Sequence, residues 1–215
     1  MNETLCEKDL GVHIDPDLSF EEHINKQIKK ARSLSGMIAR NFVYKTPSIL
    51  IPLYKTLIRP VIEYGNPVWC PHLRKHIDEI EKIQRNYTKN IIGMKDLEYG
   101  ERLRTLKLHS LEFRRIRGDM IQVYKILNNL YDPLTTNSLL TLDKNSNTRG
   151  HNFKLKKGSF NTTKYKYFFT NRVINLWNKL SDEVVNAPSL NVFKNNFDRF
   201  MNEYLYSTNL DIYEL

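Results

Sequence analysis

The sequence predicts a mainly α protein: a helical bundle followed by a small α+β C-terminal part with a β-hairpin. Two observations carry that prediction. Apolar residues recur at helical spacing through most of residues 19–132, with cap residues and prolines between the periodic runs. Beyond residue 150 the period changes to two. Residues 133–150, rich in Asn, Ser and Thr, lie between the two patterns and read as a linker, which leaves 151–215 as the C-terminal region and 1–18 as a separate leading segment.

The first element is a short strand in which Leu10, Val12 and Ile14 alternate, and Asp15-Pro16-Asp17 turns the chain. Ser19-Phe20-Glu21-Glu22 has the form of a capping box, in which the serine hydroxyl accepts from the backbone and the glutamate reaches back. The helix it opens places Phe20, Ile24, Ile28, Ala31, Leu34, Ile38 and Phe42 on one side. Lys26, Lys29, Lys30, Arg32 and Arg40 fall on the other. Thr46-Pro47 starts a second helix with Ile49, Leu50, Leu53, Tyr54, Leu57 and Ile58 as its stripe, and Pro60 should kink or end it. A third runs from His72 to Ile92, stopped at Gly93. A short helix near Tyr99–Leu106 precedes a long one capped by Ser110 and ended by Asp132-Pro133. In the C-terminal region, Phe153-Lys154-Leu155-Lys156 and Lys164-Tyr165-Lys166-Tyr167 alternate apolar residues with lysine and read as the two strands of the hairpin. Thr170 and Ser189 then cap two final helices.

No apolar run approaches the roughly 20 residues of a membrane helix, so no membrane partner is expected. The acidic N-terminus lacks the features of a secretory signal, which points to an intracellular location, nuclear or cytoplasmic. Two cysteines cannot build a disulfide framework. Cys70, His72 and His76 offer three metal ligands where a structural zinc takes four, so no metal site is expected.

Charge is the most informative feature. The net charge is +9, and a basic protein attracts polyanions, nucleic acid above all. No Asp or Glu occurs between His23 and Ile62, where eight Lys and Arg residues fall, and none occurs between Lys144 and Ser181. The candidate nucleic-acid-binding residues are therefore Lys26, Lys29, Lys30, Arg32 and Arg40 in the first stretch and Lys154, Lys156, Lys164 and Lys166 in the second. The alternative is a solvated face with no ligand. No nucleophile–base pair or carboxylate cluster stands at catalytic spacing, and His13, His23 and His109 read as surface or core histidines.

Seven phrases occur in order. They are Lys8-Asp9-Leu10-Gly11-Val12-x-Ile14, Leu18-Ser19-Phe20-x-x-His23-Ile24 and Leu53-Tyr54-Lys55-x-x-Ile58-x-Pro60-x-Ile62-Glu63-Tyr64-Gly65-x-x-Val68-Trp69. Then come Ile80-Glu81-x-Ile83-Gln84-Arg85, Tyr99-x-x-Arg102-Leu103 and Leu108-x-Ser110-Leu111-x-x-Arg114-Arg115-x-Arg117-Gly118-Asp119. Phe168-Phe169-x-x-Arg172-Val173-x-x-x-Trp177-Asn178-x-Leu180 closes the set. From about Lys8 to Phe200, the chain resembles the region after the palm in Jockey-like and related non-LTR (LINE-type) retrotransposon reverse transcriptases.

The resemblance implies a division of labour. Residues 1–18 would be a remnant of the palm's edge strand, and 19–132 a thumb-like domain that follows the template–primer backbone. The palm of that family holds Mg²⁺ through an aspartate and an Asp-Asp turn for two-metal phosphoryl transfer, and this sequence contains no Asp-Asp pair. The chain is therefore expected to bind RNA or DNA backbone, to need no cofactor of its own and to be inactive alone as an RNA-directed DNA polymerase. The missing palm is a further candidate partner. The competing expectations are a truncated or decayed retrotransposon fragment without selected activity, and a nucleic-acid-binding module adopted by the host.

Overall fold

The computed structural model describes residues 6–136, 138–143, 150–158, 163–208 and 210. The fold is mainly helical, with a two-stranded antiparallel sheet near the N-terminus. Two compact units divide between Glu112 and Phe113. The stretch 133–150 falls inside the second unit, and its residues 144–149 lie outside those described.

The first unit opens with β1 (Glu7–Asp9) and β2 (Val12–Ile14), paired Glu7 to Ile14, Lys8 to His13 and Asp9 to Val12. The single strand expected over Leu10–Ile14 is thus one arm of a hairpin. Leu10 and Gly11, both at positive φ, form its two-residue turn, the left-handed geometry that matches the twist of paired strands. Leu10 is exposed and Val12 buried.

Helix α1 spans Glu21–Asn41 and buries Phe20, His23, Ile24, Ile28, Ala31 and Ile38. The expected capping box does not form. Phe20 occupies the cap position at φ 54° with no side-chain cap hydrogen bond, and Asp15 instead holds the two residues that lead into the helix. Its carboxylate accepts from Ser19 N at 2.9 Å and Phe20 N at 2.7 Å. The Ser19 hydroxyl accepts from Glu21 N at 3.3 Å. Glu22 turns to Lys26.

α2 (Pro47–Leu53), a π-helical turn (Tyr54–Ile58) and α3 (Arg59–Glu63) follow one another. Pro60 therefore does not end the helix. It has no N–H to offer the carbonyl of Thr56, and the turn before it widens so that Arg59 N–H reaches back to Tyr54 O. Leu50, Tyr54, Ile58 and Ile62 are buried.

Gly65, at φ 66°, leads into α4 (Asn66–Trp69). A side chain there would crowd Val12 Cγ2 at 3.1 Å, so only glycine lets the chain pass β2 this closely. α5 (Arg74–Lys89) is shorter at both ends than the periodicity suggested. Ile92 N–H bonds Lys45 O at 2.9 Å rather than continuing the helix. α6 (Tyr99–Thr105) has a capping box of Glu98 and Glu101. α1 packs on α3 and α5.

Helix α7 (Leu111–Leu127) begins at the division. The second unit continues with α8 (Pro133–Thr136), α9 (Thr163–Lys166), α10 (Phe169–Arg172), α11 (Ile174–Lys179), α12 (Asp182–Val185), α13 (Leu190–Phe200) and a 3-10 turn, Asn202–Tyr204. Its core joins Phe113, Ile116, Met120, Val123 and Tyr124 to Trp177, Phe193 and Phe197. Ser189 caps α13 as expected, its hydroxyl accepting from Val192 N at 3.3 Å. Thr170 lies inside α10 and caps nothing.

The C-terminal hairpin is corrected. Lys164–Tyr167 is not a strand: Thr163–Lys166 forms a helical turn. Leu155 makes an isolated antiparallel bridge to Leu142. Tyr165 packs on Phe168 with ring centroids 4.9 Å apart, across a turn in which Phe168 N–H bonds Tyr165 O at 3.3 Å. Local packing of two aromatics overrides the alternation with lysine.

Candidate nucleic-acid interface

At 100° per residue, Lys26, Lys29, Lys30, Arg32 and Arg40 occupy one arc of α1, opposite the buried Ile24, Ile28, Ala31 and Ile38. The helix has 21 residues, roughly 32 Å at 1.5 Å per residue. The sequence-predicted face therefore exists as a surface, and all five cations are exposed.

They are not equivalent. Lys26 sits 2.5 Å from Glu22 Oε1, an i,i+4 ion pair that half neutralises it. Among the described residues no carboxylate pairs with Lys29, Lys30, Arg32 or Arg40. The start of the helix is acidic. An open depression of about 670 Å³ there is lined by Asp15, Asp17, Glu21 and Glu22 together with Lys26 and Lys29. Glu21 is itself tied to Lys75 at 2.8 Å, and that hydrogen bond holds its carboxyl below the ordinary value. The unpaired positive surface thus begins about two turns into the helix, at Lys29.

The second candidate stretch is not a lysine-edged ribbon. Lys154 Nζ donates to the carbonyl of Asn178 and is only partly exposed. Lys156 is exposed, with its backbone N–H on Thr141 O at 2.8 Å. Lys166 is exposed and lies over the Tyr167 ring at 5.5 Å. The side chain of Lys164 lies outside the described residues.

Several residues singled out in the seven phrases turn out to be interior polar anchors. Glu81, at the centre of α5, is buried and accepts from Tyr99 OH at 2.5 Å, Leu111 N at 3.2 Å and Glu112 N at 3.2 Å. A carboxylate against the first N–H groups of α7 opposes the positive end of that helix. Gln84 links Tyr54 OH at 2.7 Å, Tyr99 OH at 2.9 Å and His109 O at 3.0 Å. Burial first, and then Glu81, raises the Tyr99 hydroxyl well above its ordinary pKa. Arg85 and Arg102 lie over the Tyr99 ring at 4.9 and 5.5 Å. In the second unit Arg172 grips Asp119 with two hydrogen bonds of 2.8 and 3.0 Å. Burial pushes the Asp119 carboxyl up while Arg172 pulls it down. These networks leave Arg102, Arg115 and Arg172 buried, so none of the three belongs to a phosphate-facing surface.

His23 is likewise a core residue. Its Nδ1 accepts from His13 N–H at 3.3 Å, and its ring packs on Trp69 at a centroid distance of 5.1 Å. Burial, with His13 and Lys26 nearby, lowers its pKa to about 4. An unfolded histidine titrates near 6.5, so between pH 6.5 and 4 the unfolded chain binds a proton the folded chain does not. Stability contributed by neutral His23 is complete above pH 6.5 and lost as pH falls through that window, by about 3 kcal/mol at most. Urea unfolding of the protein against His23→Gln, which cannot titrate, checks this. The stability difference between the two should change across pH 4–6.5 and be constant above it.

No family model matches the chain, and no solved structure matches it. It is similar to the uncharacterized protein B0403.1 of Caenorhabditis elegans, with 24% identity over 155 residues that cover 71% of this chain and 76% of that protein.

Proposed function

We propose that this chain is the nucleic-acid-binding, thumb-like part of a non-LTR retrotransposon reverse transcriptase, and that it holds template–primer or element RNA by its phosphate backbone. One observation supports this above the rest: Lys29, Lys30, Arg32 and Arg40 stand exposed on one arc of a helix, and among the described residues no carboxylate pairs with them. A row of unpaired cations on a rigid helix neutralises phosphates and releases their condensed counterions, whatever the base sequence. Such contacts position a nucleic acid and do not read it. In this reading the chemistry, and the Mg²⁺ it needs, belongs to a palm outside this chain, and the buried network of Glu81 in α5 supports the unit whose α1 carries the binding surface.

Four neutralised phosphates give a salt slope near −3.6, roughly a 150-fold loss of affinity between 50 and 200 mM salt. The triple variant Lys29→Gln, Lys30→Gln, Arg32→Gln should fold normally, since exposed substitutions usually stay within about 0.5 kcal/mol each. Its slope on labelled duplex should be shallower by about three units. Identical slopes for the protein and the triple variant would reduce the face to a solvated surface and end the proposal.

A further inference from the structure

Three side chains of different chemistry converge at the foot of the N-terminal hairpin. Cys6 immediately precedes β1, His13 is the middle residue of β2, and Glu22 lies in the first turn of α1. One ligand atom from each, a thiol sulfur, an imidazole nitrogen and a carboxylate oxygen, all lie within 4.8 Å of one another. We propose that Cys6, His13 and Glu22 form a binding site for a borderline divalent cation of the zinc class, with water as the fourth ligand.

The donor set selects the metal. Sulfur with imidazole favours zinc and its neighbours, whereas magnesium and calcium take oxygen alone. Bonds of roughly 2.0–2.3 Å to a tetrahedral ion leave its ligand atoms about 3.3–3.8 Å apart. Closing from 4.8 Å needs only small side-chain rotations. The backbone beneath is already fixed: Lys8 pairs with His13 across the hairpin, and Asp15 holds the entry to α1 through Ser19 and Phe20.

The same place already attracts a cation. The Lys26 ammonium sits 2.5 Å from Glu22 Oε1 and 3.4 Å from His13 Nδ1. Lys26 is exposed and free to swing into water, so an incoming metal replaces one positive charge with a stronger one. Desolvation and the Glu22 carboxylate hold the Cys6 thiol above its ordinary pKa, so the protonated thiol loses its proton to solvent when the ion binds. Three protein ligands with one open position suit an exchangeable ion rather than a closed structural one.

The test uses the untagged, reduced, full-length chain titrated with Co²⁺, reading the sulfur-to-cobalt charge-transfer absorption, followed by displacement with Zn²⁺. One equivalent should bind. Cys6→Ser should abolish the absorption, and Cys70→Ser should leave it unchanged. His13→Ala should weaken binding by roughly a hundredfold, one ligand's share of a zinc site's affinity. Lys26→Gln, an exposed change that does not threaten folding, should bind Co²⁺ more tightly because the competing ammonium is gone. The proposal is overturned if no charge-transfer absorption appears at one equivalent. It is equally overturned if the absorption survives Cys6→Ser, or if Lys26→Gln binds more weakly than the unmodified chain.

Discussion

Arg172→Leu is expected to lower the stability of the second unit by about 3–5 kcal/mol, the cost of stranding one member of a buried ion pair. Arg172 and Asp119 are both nearly excluded from water, and two hydrogen bonds join them. Removing the guanidinium also removes the hydrogen bond that Arg172 Nη1 donates to the carbonyl of Tyr167 at 3.0 Å. The loss belongs to the stranded charge and not to the pair as such. The double variant Arg172→Leu, Asp119→Leu should therefore recover most of the lost stability. The deficit of the single variant should also shrink in acid, where Asp119 takes up a proton and ceases to be a buried charge. Urea unfolding of the two single variants and the double variant forms the cycle. If the double variant is as unstable as the worse single one, packing rather than charge sets the cost.

Glu81→Leu is expected to cost the first unit about 3–5 kcal/mol, because it takes their acceptor from the half-buried Tyr99 OH and from the buried N–H groups of Leu111 and Glu112. Each unsatisfied buried group costs about 1–3 kcal/mol. Glu81→Gln should cost less, since the amide oxygen still accepts. Tyr99→Phe provides the comparison: it removes one donor together with its need for a partner and should be the mildest of the three. Thermal or urea unfolding ranks them. An order in which Tyr99→Phe is the most damaging would place the energy in the hydroxyl and not in the carboxylate that serves it.

The sequence made the helices legible wherever one face carries the burial. The spacing of Ile24, Ile28, Ala31 and Ile38 marks α1 and its outward face directly, and its cations emerge where that spacing puts them. What it hid falls into two kinds. Local competition hid the caps and the hairpin. Asp15 takes the backbone N–H groups of Ser19 and Phe20 and leaves the Ser19 hydroxyl to Glu21 N, and Tyr165 packs on Phe168 beside a helical turn in a segment whose alternation suggests a strand. Distance along the chain hid the rest. Asp119 and Arg172 are 53 residues apart, and Glu81 reaches Leu111 across 30. Nothing local distinguishes those residues from surface charges. The convergence of Cys6, His13 and Glu22 depends on a two-residue turn at Leu10–Gly11 that folds one strand back on the next.

The wide turn at Tyr54–Ile58 sets the angular phase of its helical path. Leu50, Tyr54, Ile58 and Ile62 repeat every four residues, and all four are buried. In an unbroken α-helix of 3.6 residues per turn, a four-residue repeat drifts by about 40° at each step, about 120° from Leu50 to Ile62. The last residue would then point well away from the first. A turn with more residues lags behind that rotation and takes back part of the drift. The stripe can thus stay on one side with a strict period of four, just as departures from 3.6 in longer helices are absorbed by bending their path. The wide turn ahead of Pro60 is therefore more than a compensation for the proline's missing N–H. It is the written form of a helix that runs slow for one turn.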